Sequence, residues 1–314
     1  MIKLGVVSID VSHPLGFAGE MENNCMDMKY EYVCKESFRD DAEADWFVKR
    51  FNMAGKVDKV EDMVGKVDLA LIQSCNWEKH LDQALPFIKA GKPVFIDKPI
   101  VGSVMDIKRL RDLVKNGAVI YGSSSVRYCE EIKKFISRPV EERGEILTMY
   151  CTCGVDEFNY GIHTIEAFSA LAQSKIISGK YVNKAERNDG QKCETFNFTF
   201  ENGITATANV VTGKWHPFHI TIMTTTGSHY FMIDSSKIYW ALLKEIYNQM
   251  AHGKSNLTDV ETLINCTEAM LCVKKSREQK NGAEVKICEL DDGDAFDGYA
   301  FEKEYGAKSV PIYK

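Results

Sequence analysis

The sequence predicts an α/β protein: an N-terminal doubly wound parallel sheet, followed by a C-terminal α+β domain with a large, mostly antiparallel open sheet. Two patterns carry that expectation. Up to about residue 122, short apolar runs alternate with stretches of helical periodicity, the rhythm of β-α-β units. Beyond it, apolar residues recur at every second position, and Asn202-Gly203 separates two such runs as a hairpin turn would. The change of rhythm divides the chain into residues 1–122 and 123–314.

The elements follow in order. Lys3-Leu4-Gly5-Val6-Val7 reads as the first strand, with a helix at about 15–26 and a second strand over 30–34. Helical stretches lie near 42–53 and 103–116, and 118–122 is a last strand. Between them Leu69-Ala70-Leu71-Ile72 is a strand, Gln73 to Asn76 a polar turn, and 77–90 a helix that Gly91 stops. Leu81, Ala84, Leu85 and Ile88 give that helix its apolar stripe, and Pro86 within it predicts a kink. In the second half Phe196, Phe198 and Phe200 alternate with Thr195, Asn197 and Thr199, and Ile204, Ala206, Ala208 and Val210 return on alternate positions. Further strands are expected near 145–154, 176–184, 218–225 and 229–233, and helices near 238–252 and 258–280.

Composition narrows the class. With 314 residues and 45% hydrophobic content the chain can bury two cores. A net charge of −6 argues against a nucleic-acid surface. No apolar run approaches the roughly 20 residues of a membrane helix, and a strand begins at Ile2 with no signal peptide before it, so a cytoplasmic location is expected. The 10 cysteines are scattered, and Cys151-Thr152-Cys153 lacks the paired spacing of a zinc site. Free, mostly buried thiols are expected, and no metal.

The stretch Pro93 to Pro99 carries the most chemistry. Val94-Phe95-Ile96 is a short apolar strand, Asp97 and Lys98 project from its carboxyl end, and Pro99 fixes the backbone there. Ligands of open parallel sheets bind at the carboxyl ends of strands, which makes Lys98 a candidate for moving a proton. The plainer alternative is a solvated lysine beside a loop proline.

Asn76 and His80, the run Ala90-Gly91-Lys92-Pro93-Val94, and Asp97-Lys98-Pro99 together resemble the Gfo/Idh/MocA family of nicotinamide-dependent sugar and cyclitol dehydrogenases. That family usually carries Glu-Lys-Pro; aspartate keeps the charge and shortens its reach. Asn159-Tyr160-Gly161-Ile162-His163-Thr164-Ile165-Glu166 resembles the family's Asp-x-Gly-x-His-x-x-Asp block, with Asn159 in place of the first acid. Gly122-Ser123-Ser124-Ser125-Val126-Arg127-Tyr128 resembles its Gly-x-x-x-Arg-Phe segment, so the likeness runs along nearly the whole chain.

The resemblance implies a Rossmann domain, hydride transfer between a nicotinamide and a carbinol or keto carbon of a small polyol, sugar or cyclitol, and a homodimer or homotetramer formed through the C-terminal sheet. It implies Lys98 and His163 as catalytic residues and Asn159, Arg127, His13 and Glu166 as substrate contacts. Cofactor contacts are expected from Ser8, Asp10, Ser12, His13, Glu36, Ser74, Asn76, His80, Asp97 and Lys98. Glu166, three residues after His163, shares its helix face and is placed to orient the imidazole. Trp215, His216 and His219 lie in a loop rich in polar aromatics that is either a cover for substrate or an exposed turn.

The N-terminal turn departs from this pattern. Ser8, Asp10 and His13 stand where the family has the three glycines of Gly-x-Gly-x-x-Gly, which allow a tight turn and close backbone approach to a pyrophosphate. Either the turn is an altered cradle, or its side chains reach the cleft, or Ser12-His13-Pro14 simply caps the helix. After the second strand Glu36 favours NAD, while Lys35, Ser37 and Arg39 favour NADP; the balance leans to NAD, with NADP possible. Two rival readings remain: a family member that has lost its cofactor and acts as a binding or regulatory protein, and a metal-assisted lyase or hydrolase using Asp10, His13 and His163.

Overall fold

The computed structural model describes residues 1–122 and 124–314 in full and residue 123 by its backbone. The chain forms two compact units: residues 1–123, 242–260 and 297–314 make the first, and residues 124–241 and 261–296 the second. The first unit therefore takes in two segments from far beyond residue 122, where the change of sequence rhythm had placed the boundary.

Within residues 1–123 the order is β1 (Ile2–Val7), α1 (His13–Asn23), β2 (Met28–Cys34), α2 (Asp41–Arg50), β3 (Gly55–Val57), β4 (Leu69–Ile72), α3 (His80–Lys89), β5 (Val94–Asp97), α4 (Val104–Lys115) and β6 (Ile120–Ser123). The strands form one parallel sheet in the order β3-β2-β1-β4-β5-β6. That order reverses between β1 and β4, and the crevice at such a switch point, outside the carboxyl ends of the strands, is where ligands of doubly wound folds bind. β4 and β5 are buried along their whole length, which is why their sequences are unbroken apolar runs instead of alternating ones. Helix ends are set locally: Asp40 accepts from the Glu43 N–H to open α2, and Ser103 accepts from the Asp106 N–H to open α4. α3 runs on through Pro86 to Lys89, so the proline does not end it.

The second unit contains α5 (Glu130–Ile136), α6 (Val140–Arg143), β7 (Ile146–Val155), α7 (Gly161–Ala172), β8 (Ile176–Glu186), β9 (Lys192–Phe200), β10 (Thr205–Thr212), β11 (His219–Thr224) and β12 (Ser228–Met232). α8 (Ile238–His252), α9 (Val260–Gln279), β13 (Val285–Lys286) and α10 (Gly298–Lys308) complete the chain. Seven strands pair in the order β12-β11-β7-β10-β9-β8-β13, antiparallel except where β7 meets β10. The β9/β10 hairpin has the expected register, with Phe198 opposite Ala206 and Phe196 opposite Ala208, and Gly203 takes a φ of +86° in its turn. Phe196, Phe198 and Phe200 are wholly buried on the same face as Val210. That face lies under the unit's own helices, since Gly161 of α7 approaches Val210 and Gly179 of β8 approaches Ala269 and Val273 of α9. The opposite face is open, with Tyr150, Met223, Tyr230 and Met232 exposed along it.

One close approach fixes the end of β7. A Cβ on Gly154 would stand 2.2 Å from the Lys214 carbonyl oxygen and 2.4 Å from the His216 nitrogen, both backbone atoms that cannot step aside. Gly154→Ala is expected to cost about 1–3 kcal/mol, seen as a lower urea midpoint at unchanged slope. An unchanged midpoint would contradict this packing.

Candidate active site

The β1-α1 turn is rebuilt around side chains. Ser8 holds a φ of +71°, the left-handed conformation a glycine would normally supply, and its Oγ accepts from the Asp10 N–H at 3.3 Å. Asp10 is wholly buried: Oδ1 accepts from the Ser37 hydroxyl at 2.5 Å and Oδ2 from the Cys75 N–H at 3.0 Å. Its carboxylate thus ties the ends of β1, β2 and β4 together, work that leaves Ser37 engaged. Ser12 precedes α1 but makes no side-chain cap bond, and Pro14 removes one of the helix's first N–H donors. His13 reaches across instead, donating from Nδ1 to Asp97 Oδ2 at 2.6 Å.

Asp97 collects three donors at the end of β5: His13, the Gln73 amide at 3.3 Å, and the Lys98 N–H, which meets Oδ1 at 2.8 Å. Gln73 in turn accepts from the buried Tyr30 hydroxyl at 2.8 Å. Burial pushes the Asp97 carboxyl up, but the His13 imidazole and the Lys98 ammonium outweigh it and leave the group below its ordinary value. Asp97 is therefore an anion at neutral pH. Lys98 is 7% exposed, buried beside that anion as few lysines are, and the Lys98–Pro99 peptide is cis.

The neighbouring turn after β4 is knitted by buried polar groups. Ser74 donates to Gln83 Oε1 at 2.8 Å, and the Gln83 amide donates to Glu36 Oε2 at 3.0 Å, which links β4 to the end of β2. His80 has no exposure; its ring nitrogens face the Ser74 carbonyl at 2.9 Å and the Ile100 carbonyl at 3.2 Å. Burial holds its pKa down, and the neutral ring has a single N–H to donate to one of these two carbonyls.

Residues 297–314, to which no element had been assigned from sequence, lie across these turns. Asp297 caps α10 by accepting from the Ala300 N–H. Gly298 donates to Glu78 at 2.7 Å, Phe301 packs on Trp77, and Glu302 accepts from Asn76 at 3.0 Å and from Lys79 at 2.6 Å. Further along, Tyr305 packs on Phe38, which follows β2. The remaining residues cross Arg39, whose guanidinium is buried and donates to the Ile9 and Asp10 carbonyls, to Glu43 and to the Val310 carbonyl. Tyr313 closes the run: its hydroxyl donates to the Val11 carbonyl at 3.0 Å, and its ring packs on Phe47 and Arg39.

Among the described residues, one grouping has spacing that would suit a cation: Asp10, Cys75 and Glu302. It includes neither His13 nor His163. Burial and the Asp10 carboxylate push the Cys75 thiol far up, so it stays protonated and is a poor ligand.

In the second unit His163 and Glu166 are buried on α7. Glu166 accepts the Ser124 N–H on both oxygens at 3.0 Å, and the Ser124 hydroxyl lies 2.5 Å from His163 Nδ1. The expected orientation of the imidazole by Glu166 thus has Ser124 between the two. Arg127 donates to the Glu166 carbonyl at 3.2 Å. Asn159 donates to Asp156 Oδ2 at 3.3 Å, and the Tyr160 N–H meets Oδ1 of the same residue. A carboxylate therefore does stand beside Asn159, supplied from three residues earlier. Phe218 lies edge-on to His163, whereas Trp215 is exposed.

Residues 16–124 match the Gfo/Idh/MocA oxidoreductase family, described as having an NAD-binding Rossmann fold. No curated protein matches the sequence. Among solved structures, scyllo-inositol dehydrogenase from Lactobacillus casei with bound NAD(H) and scyllo-inositol superposes with a TM-score of 0.77 at 16% identity, over 92% of this chain and 100% of that one. Myo-inositol dehydrogenase from the same organism, in complex with NAD(H) and myo-inositol, gives 0.76 at 14% identity over 95% and 99%. An oxidoreductase from Thermotoga maritima gives 0.73 at 17% over 92% and 99%. At such identities the likeness is one of fold, and it extends over both units.

The residues of the first unit fit a dinucleotide in part. The left-handed turn at Ser8 is retained, and Asp97 with Lys98 stands at the β5 end of the crevice. The other end, where the ribose of a dinucleotide meets the carboxyl end of the second strand, holds Tyr305 and Val310 against Phe38 and Arg39.

The Asp97 shift fixes a pH dependence. A carboxyl lowered on folding adds stability above its unfolded pKa of about 3.9 and loses it as pH falls through the lower folded value. The stability gap between wild type and Asp97→Asn is expected to be full at about pH 6 and to shrink below about pH 4, measured by urea unfolding across that range. A constant gap would contradict the assignment.

Proposed function

We propose that this protein is an NAD-dependent oxidoreductase that interconverts a carbinol and a keto carbon on a small polyol, sugar or cyclitol. The observation that carries the reading is the buried lysine of Asp97-Lys98-Pro99 at the carboxyl end of β5, since ligands of doubly wound sheets bind outside the carboxyl ends of the strands. The nicotinamide, when bound, supplies the acceptor or donor of hydride. What the chain supplies is proton handling and placement.

Lys98 takes the hydroxyl proton in the oxidation and returns it in the reduction. Lys98 accepts that proton as the neutral amine, and Asp97, held as an anion by His13 and Gln73, stabilises the ammonium that forms. To His163 we assign polarisation of the substrate oxygen, with Ser124 fixing the ring through Nδ1. Asn159, with Asp156 behind it, holds a neighbouring hydroxyl. NAD is favoured over NADP because each basic or hydroxyl group that would greet a 2′-phosphate is engaged: Lys35 pairs with Asp41 at 3.1 Å, Ser37 binds Asp10, and Arg39 is buried. A homo-oligomer joined through the open face of the second sheet accords with the exposed Tyr150, Met223, Tyr230 and Met232.

One observation favours the rival reading of a binding or regulatory protein: the ribose end of the crevice is filled by the chain itself. The two readings part on Lys98→Met. That change keeps the apolar stem and deletes the amine, so fold and dinucleotide binding are expected to survive while turnover drops about 10²–10⁴-fold. Substrate is first found by following nicotinamide absorbance against inositols, hexoses, aminosugars and their keto forms. Near-normal kcat in Lys98→Met would remove Lys98 as the proton carrier; no absorbance change with any compound would favour the binding protein.

A further inference from the structure

We infer that residues 297–314 are a strap closed over the adenosine end of the crevice, and that a dinucleotide binds only when this strap lifts. The inference rests on the oxidoreductase reading and adds a gate to it.

Position is the first ground. In a sheet of this order the diphosphate lies over the β1-α1 turn and the ribose at the end of the second strand. The strap contacts these places in turn: Tyr313 at Val11, Tyr305 and Val310 at Phe38 and Arg39, and Glu302 at Asn76 and Lys79 after β4. A nucleotide in that seat and the strap exclude one another sterically.

Charge is the second ground. Glu302 places a carboxylate on Lys79 Nζ at 2.6 Å, and that carboxylate stands within 4.8 Å of ligand atoms of Asp10 and Cys75. Burial lowers the Lys79 pKa, but Glu302 and the Asp10 carboxylate raise it further, so the ammonium is held charged. Glu302 thus occupies the side of the crevice where an anionic ligand would take a cation, and it lies close to a buried carboxylate as a diphosphate would. With the strap lifted, Lys79 and the Asn76 amide are released to the ligand while one negative charge leaves.

The manner of attachment is the third. Within α10 only Gly298 is buried, so the helix lies on the surface instead of being sunk into a core. Its hold is polar and aromatic, and the deep apolar anchor is the single ring of Tyr313, 2% exposed. Segments with few buried apolar contacts open locally at low free energy.

The test locks and loosens the strap in the intact chain. A Cβ on Gly306 would lie 3.3 Å from Phe38 Cγ, so the double variant Phe38→Cys/Gly306→Cys puts two thiols within bridging reach. Binding of NADH and of NADPH is measured by calorimetry on the oxidised and reduced forms of that variant, on wild type and on Glu302→Gln, with circular dichroism as the check on folding. The expected result is at least 100-fold weaker binding in the oxidised form, recovery on reduction, and several-fold tighter binding than wild type in Glu302→Gln. Equal affinity in the oxidised and reduced forms would overturn the strap and leave the oxidoreductase reading standing. No binding of NADH or NADPH to any folded form would overturn both.

Discussion

The arrangement at the mouth of the first sheet depends on one buried guanidinium. Arg39 bonds through all three of its nitrogens: to the Ile9 and Asp10 carbonyls of the β1-α1 turn, to Glu43 on α2, and to the Val310 carbonyl. The rings of Phe38 and Tyr313 lie beside it. Glu43 in turn accepts the Ile312 and Tyr313 N–H groups on the oxygen that also takes Arg39. A buried ion pair adds little net stability by itself, yet removing one partner leaves an uncompensated charge and is strongly destabilising. Arg39 and Glu43 therefore act together as a clasp. It fixes the glycine-free turn in shape and holds residues 310–313 over it.

The same logic of buried, mutually satisfied charge governs the other end of the crevice. Asp97 would be costly in isolation, being almost wholly buried, but three donors and the Lys98 ammonium surround it. His13, standing where a glycine would be in the usual fingerprint, is one of those donors. A side chain of the β1-α1 turn thus also stiffens the strand end to which chemistry is assigned.

Much of this was legible in the sequence. β4 and β5 announce themselves as unbroken apolar runs because both faces are covered, and the β9/β10 hairpin does so through strict alternation around Asn202-Gly203. The position of Lys98 at the end of β5 was legible from its place after such a run. Other features were hidden because they rest on contacts between residues far apart in the chain. α10 has almost no buried face to imprint a helical period, and its partners are 220 or more residues away at Asn76, Glu78 and Lys79. Its cap Asp297 and the aromatics Phe301 and Tyr305, four residues apart, were the available signal. Arg39 read as a group for a 2′-phosphate, since sequence cannot tell an offered cation from an engaged one. Asp156 escaped because it lies three residues before the block that begins at Asn159, and Ser124 because its role appears only when its segment meets α7.

The inferred strap requires the crevice to exchange its own segment for a dinucleotide. Hydrogen-exchange mass spectrometry, with and without saturating NADH, tests that most directly. The predicted result is faster exchange of the α10 amides and slower exchange across the β1-α1 and β2-α2 turns when the ligand is present. Bound NADH with α10 as protected as before would contradict it.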